Sequence, residues 1–276
     1  MDNILVLAPY EKYILKAIDE YQNQKRLKFI IIGDKKVISG ECLKLGIVLR
    51  HVEMIDISGE VEICLYAKSM MEKNDIKRIV FGDIPQTYFQ KIMLADSSDD
   101  IGTINIVDIA NSDQYVFISS GNRSNHSDFD DKKRAIIQAH SLMSQLNIKK
   151  INACLIYPKR RNDSLESKII KMIINDLDIK NLEILDYHEL KDIFKNELYG
   201  DDRINLLVMK NYDATKVFID SVDIFMKCRI SHFLVYKDVL AIDALDGDAL
   251  DNIKFALKIF DNLSSKRYID EKYYIL

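Results

Sequence analysis

This sequence predicts an α/β chain, with two lobes built on mainly parallel sheets. Three observations carry that expectation. Short apolar runs alternate with amphipathic stretches of helical period almost from end to end. Several of the runs are nearly continuous in Ile, Leu and Val, as strands covered on both faces are. The runs are too many for one ordinary sheet, and one connection between them, "VDIANSDQY", lacks a helix. Strand–helix–strand alternation favours parallel pairing through right-handed crossovers, which layers each lobe as helix, sheet, helix.

The first strand is "NILVLA" (3–8). After it, "YEKYILKAIDEYQNQ" places Tyr13, Ile14, Ala17, Ile18 and Tyr21 on one helical face. "KFIIIG" (28–33), "KRIVFG" (77–82), "INIVDI" (104–109) and "YVFISS" (115–120) read as further strands. The helix-free link between the last two is taken as a crossing between domains, near residue 112. A polar bend, a long helix and the strand "INACLIY" (151–157) follow. "LESKIIKMIINDL" gathers Leu165, Ile169, Ile170, Ile173 and Leu177 on one face. The remaining strands are "LEILD" (182–186), "INLLVM" (204–209), "SHFLVY" (231–236) and "VLAID" (239–243). The amphipathic "DALDNIKFALKIFDNL" (248–263) is expected to pack back on the first lobe. The domains are therefore expected at 1–112 plus 250–276 and at 113–249, with a ligand cleft between them.

The totals exclude several classes. With 276 residues, 48% of them hydrophobic, the chain can bury a substantial core. A net charge of −4 argues against nucleic acid as a partner, because phosphate neutralisation needs a clustered basic surface. The 4 cysteines show no CxxC spacing, which suits buried thiols in a reducing cytoplasm. The N-terminal apolar run is too short for a signal-peptide core, and no run approaches the length that spans a bilayer. The 9 glycines are isolated, without GxGxxG or GxxxxGK[ST], so the usual nucleotide loops are absent. None of the 5 histidines has a metal-site partner at close spacing, and no metal is expected. No GxSxG elbow occurs. His232 reads as a strand-end histidine.

The bend after "YVFISS" is crowded with Ser119, Ser120, Asn122, Ser124, Asn125 and Ser127. Ser127 or Asp128 can cap the next helix, and the acids that follow suit its macrodipole. Capping leaves Ser119 and Ser120 unexplained. A ligand at a strand C-terminus facing a helix N-terminus would use them. Both readings stand on the residues alone.

From Phe117 to Ile156, "FISSGNRSNHSDFDDKKRAIIQAHSLMSQLNIKKINACLI" resembles a segment of the phosphate acetyl- and butyryltransferases. Phe117, Ile118, Asp128, Lys132, Leu146, Ile148 and Leu155 fall in step with F-I-T-D-A-x-x-N-x-x-P-D-L-x-x-K-x-x-I-I and the A-x-x-L-G-I-x-x-P-K-V-A-x-L run after it. Ser119 and Ser120 stand for the Thr-Asp pair. From Ile204, "INLLVMKNYDATKVF" is similar to the family's D-I-L-L-V-P-N-I-E-A-G-N, with Asn211, Ala214 and Thr215 on its N, A and G positions.

The resemblance implies a two-domain three-layer α/β/α fold of the phosphate acetyl/butyryltransferase type, which is isocitrate/isopropylmalate dehydrogenase-like. It implies acyl-CoA plus phosphate going to acyl phosphate plus CoA. Coenzyme A or acyl-CoA would be the substrate, with no tightly bound cofactor, no membrane or nucleic-acid partner and a homodimeric assembly. Such chemistry needs a cation for the phosphate, donors facing an oxyanion, and a group that keeps the CoA thiol deprotonated. Thr87, Ser119, Ser120, Asn122, Asn125, Asn211 and Thr215 are the candidate substrate-binding residues, and Asp243 and Asp251 the candidate catalytic carboxylates. For Asp251 a place in the first turn of a helix is the alternative.

The pattern also departs from the family. Its Ser-Arg after the last strand falls on Asp243 and Ala244, which removes the phosphate-binding guanidinium. Thr87 is what remains of K-G-x-x-x-T. Lys159, Arg160 and Arg161, in "YPKRRND", are the cations available to hold a CoA phosphate or acyl phosphate, or else form a solvated basic loop. Two expectations follow: an acyltransferase with a rearranged phosphate site, or a non-catalytic regulatory relative that binds CoA, acyl-CoA or an anion.

Overall fold

The computed structural model describes residues 2–23, 27–85, 101–109, 114–121, 129–156, 172, 175, 179–185, 203–226, 228–244 and 250–265. Every strand expected from the sequence is present. They are β1 (Asp2–Leu7), β2 (Leu27–Gly33), β4 (Arg78–Phe81), β5 (Gly102–Ile109), β6 (Gln114–Gly121), β7 (Ile151–Leu155), β8 (Leu182–Leu185), β9 (Leu206–Val208), β10 (Arg229–Tyr236) and β11 (Val239–Asp243). One strand, β3 (Val52–Asp56), was not expected. The helices are α1 (Lys12–Tyr21), α2 (Lys35–Leu45), α3 (Glu60–Asn74), α4 (Phe129–Gln145), α5 (Tyr212–Met226) and α6 (Leu250–Ser265). The amphipathic stretch 165–177 lies outside the described residues, apart from Met172 and Asn175, which are helical.

Two compact units form. The first contains residues 1–100 and 231–265. Its strands run in the order β3-β2-β1-β4-β11-β10. β2–β3, β1–β2, β1–β4 and β4–β11 pair in parallel, and β10–β11 is an antiparallel hairpin. In this unit α1 packs beside α2 and α6, while α3 lies on β1 and β2. The second unit contains residues 101–230, with strand order β5-β6-β9-β7-β8. There β6–β9, β9–β7 and β7–β8 are parallel, and β5–β6 is antiparallel.

The helix-free stretch read as a crossing near 112 has a different role. Ile109 pairs with Gln114, so residues 110–113 join adjacent antiparallel strands of one unit. A short link without a helix is what an antiparallel pair needs. The boundaries fall instead between Asp100 and Ile101 and between Ile230 and Ser231.

The core follows from the strand pattern. Ile4, Leu5, Val6 and Leu7 are all 0% exposed, so both faces of β1 are covered. Helix α1 buries Ile14, Leu15, Ala17 and Ile18, with Tyr13 and Tyr21 at the margin of the face. Asp34 caps α2 by accepting from the Lys36 and Val37 amides, at 2.8 and 3.1 Å. At the strand ends Gly82 is required. A Cβ there would lie 2.2 Å from the Ala8 carbonyl oxygen and 2.7 Å from that of Leu7.

All the cysteines are buried and free. Burial, reinforced by the Glu60 charge, pushes the Cys64 thiol up from 9.0 to about 11. Above its ordinary pKa the unfolded chain ionises this thiol and the folded chain does not. Stability is therefore expected to fall as pH rises from 9.0 towards about 11, and Cys64→Ala should flatten that slope in urea titrations across the alkaline range. An identical slope in the variant would contradict this origin.

Candidate functional site

The second unit contains a topological switch point. From β6 the chain passes through α4 to β7, over the intervening β9. From β9 it passes through α5 back toward Arg229 at the start of β10, whose guanidinium pairs with the buried Asp108 carboxylate on β5. The two connections leave adjacent strands in opposite directions, so right-handed crossovers put α4 and α5 on opposite faces. Packing agrees: α5 places Ile219 and Val222 against Val116, Ile118, Cys154 and Leu207, a cluster without α4 residues. In open α/β sheets, the crevice beyond such strand ends is where ligands bind.

A buried lysine joins these ends. Lys132, on α4, is 2% exposed. Its ammonium donates to the Ser120 carbonyl at 3.2 Å, to that of Met209 at 2.7 Å and to that of Lys210 at 2.5 Å. One cation thus holds the C-terminal ends of β6 and β9 together, and the carbonyl dipoles point toward it. Burying an ammonium is tolerated where such acceptors replace its water. Asp131, its neighbour in the first turn, is also buried and pairs with Arg134.

The two serines differ. Ser119 Oγ donates to the Thr103 carbonyl at 2.8 Å and accepts from the Gly121 amide at 3.4 Å, so it ties β6 to β5 and to the turn. Ser120 points to the other face, that of Ile118 and α5, because strand side chains alternate. It is 1% exposed, and among the described residues its Oγ has no hydrogen-bond partner. An unmatched buried hydroxyl is unusual in a native core. Gly121 adopts φ +94°, and a Cβ there would meet the Asp131 carbonyl oxygen at 2.7 Å. Glycine thus permits the close approach of α4.

Asn211 and Thr215 open α5. Asn211 Oδ1 accepts from the Ala214 amide at 3.0 Å, as a capping side chain does. Thr215, 1% exposed, donates to the Asn211 carbonyl at 3.0 Å. Ser119, Ser120, Asn211 and Thr215 therefore gather at the β6/β9 strand ends, and of the four only Ser120 has a side chain not already engaged by a hydrogen bond among the described residues.

Asp243 and Asp251 belong to the first unit. Asp243 ends β11, paired in register with Phe81, and Asp251 is exposed in the first turn of α6. Ala244, where the resemblance expects arginine, is 7% exposed. His232 is a partly buried residue of β10. Thr87, Asn122, Asn125, Lys159, Arg160 and Arg161 lie outside the described residues. Among the described residues no group of three or more His, Cys, Asp or Glu is placed to hold a metal ion. None of the described helices is long and apolar enough to cross a membrane.

The sequence does not single out Lys132 beyond its place in the resemblance, because a charged helix residue ordinarily reads as solvated.

The fold and its strand order define a class, the two-unit α/β proteins with mainly parallel sheets. The particular fold is that of the phosphotransacylases. The branched-chain phosphotransacylase of Enterococcus faecalis V583 superposes with TM-score 0.74 at 13% identity, over 95% of this chain and 99% of that one. The EutD phosphotransacetylase of Staphylococcus aureus gives 0.70 at 10%, over 96% and 94%. The 4-hydroxythreonine-4-phosphate dehydrogenase of Klebsiella pneumoniae gives 0.63 at 8%, over 96% and 100%. No family model and no curated protein sequence matches the chain.

Proposed function

We propose that the chain is a divergent phosphate acetyl- or butyryltransferase. A phosphate oxygen attacks the thioester carbonyl of acyl-CoA. The tetrahedral oxyanion collapses, and the CoA thiolate leaves and takes a proton, giving acyl phosphate and CoA. The fold alone does not choose this chemistry, since a dehydrogenase shares it. The reading is carried by one observation: Ser120, with its unmatched hydroxyl, lies at the switch point of a phosphotransacylase fold, on the motif that resembles that family. Ala244 supplies no guanidinium, so in this reading Lys159, Arg160 and Arg161 provide the phosphate cation, and Asp243 or Asp251 the base. The same reading takes acyl-CoA as a freely exchanging substrate and makes the protein a cytoplasmic homodimer.

The test is CoA release from acetyl-, butyryl- and isobutyryl-CoA with and without phosphate. Phosphate-dependent release is expected, falling about 10²-fold or more in Arg160→Ala/Arg161→Ala. No release from any of the three would defeat the reading. Thermal stabilisation by CoA without turnover would replace it with the non-catalytic binding alternative.

A further inference from the structure

We propose that Lys132 is the positioning residue of an anion-receiving edge, with the Ser120 hydroxyl as its buried donor. The proposal rests on the reading above and deepens it, because it assigns the anion's place to the β6/β9 strand ends. In a trans peptide group the C=O and N–H point in opposite directions. The carbonyls of Ser120, Met209 and Lys210 all accept from the Lys132 ammonium. The N–H groups of Gly121, Lys210 and Asn211 belong to those same peptide units and therefore point away from it.

Gly121 N–H is taken up by Ser119 Oγ. Among the described residues, no acceptor takes the N–H of Lys210 or Asn211. These two lead directly into α5, whose first amides add to the same positive end; Asn211 Oδ1 takes only that of Ala214. Lys132 thus turns strand-end dipoles so that their positive ends face the α5 side.

Ser120 is the independent observation that points to a ligand. Its side chain lies on the α5 side, one residue beyond the Ser119–Val208 pairing, 1% exposed and without a partner among the described residues. A phosphate or acyl-phosphate oxygen supplies the missing acceptor. The exposed Lys210 ammonium adds attraction, and the exposed Asp213 carboxylate in the first turn of α5 opposes it.

The experiment measures inorganic phosphate binding by calorimetry on the full chain, for wild type, Ser120→Ala, Lys132→Met and the double variant. Ser120→Ala removes no hydrogen bond, so it should leave the melting temperature unchanged while weakening phosphate about tenfold. Lys132→Met should weaken phosphate at least as much, at a temperature where it is folded. The double variant should be no weaker than Lys132→Met, because both changes act on one site. Unchanged affinity in Ser120→Ala overturns the proposal, even where Lys132→Met fails to fold. So does a folded Lys132→Met that loses only melting temperature, and so does a wild type that binds no phosphate at millimolar concentration. Turnover by wild type with unaltered variants keeps the acyltransferase reading and removes this one. Phosphate binding that depends on Ser120 and Lys132, without turnover, does the reverse.

Discussion

Phe117→Ala is expected to lower the unfolding free energy by about 4 kcal/mol, the usual range for a fully buried phenylalanine. Phe117 is 0% exposed and sits in the middle of β6, in register with Ile106 on β5 and Leu206 on β9. Both neighbours are also 0% exposed, so the lost ring leaves a cavity in the centre of the sheet rather than a dent at its edge. The backbone bond from the Phe117 amide to the Asn205 carbonyl, at 2.9 Å, does not depend on the ring. The strand therefore persists, and the loss is one of packing. Phe117→Leu, which refills most of the space, should cost below about 1.5 kcal/mol. Urea unfolding of the three proteins decides it. Equal losses from Leu and Ala would mean that ring volume is not what this position supplies.

How far the sequence discloses this architecture depends on where each signal resides. Strand β1 is legible because Ile4 to Leu7 are buried on both faces, which leaves an unbroken apolar run. Strand β3 is not, because it is an edge strand whose Glu53 and Asp56 are exposed. Helix α2 carries caps at Asp34 and Gly46, yet Val37 and Leu43 point outward, so no one-sided stripe forms. Helix α5 inverts the ordinary rule: Val217 and Phe225 are 67% and 82% exposed, while Thr215 is buried. A connection without a helix fits a hairpin as well as a domain crossing, and only the pairing of Ile109 with Gln114 separates them.

At the candidate site, the nearness of Ser119, Ser120, Asn211 and Thr215 was legible through the order of their motifs; it is their placement at neighbouring strand ends that the structure shows. The role of Lys132 was not legible. Two of the carbonyls that accept its ammonium lie 77 and 78 residues away, and no local pattern encodes a contact of that range.

Arg229→Met is expected to be among the most damaging single changes in the second unit, costing about 3–5 kcal/mol, because it takes the guanidinium from a buried carboxylate. Asp108 is 0% exposed in β5, and the Arg229 guanidinium pairs with its Oδ2. The arginine side chain is 30% exposed, so water can serve it when the partner is lost, whereas the Asp108 side chain is 0% exposed. The asymmetry gives the prediction its sign. Asp108→Leu alone should cost less than Arg229→Met, since the stranded arginine remains partly exposed to water. The double variant Asp108→Leu/Arg229→Met should recover most of the loss, because replacing both charges removes the desolvation penalty together with the attraction. A double-mutant cycle from denaturant unfolding measures the coupling. Additive losses would show that the pair contributes nothing as a pair. Coupling of several kcal/mol would establish that Arg229 and Asp108 stabilise the second unit as a pair, where the chain returns from α5.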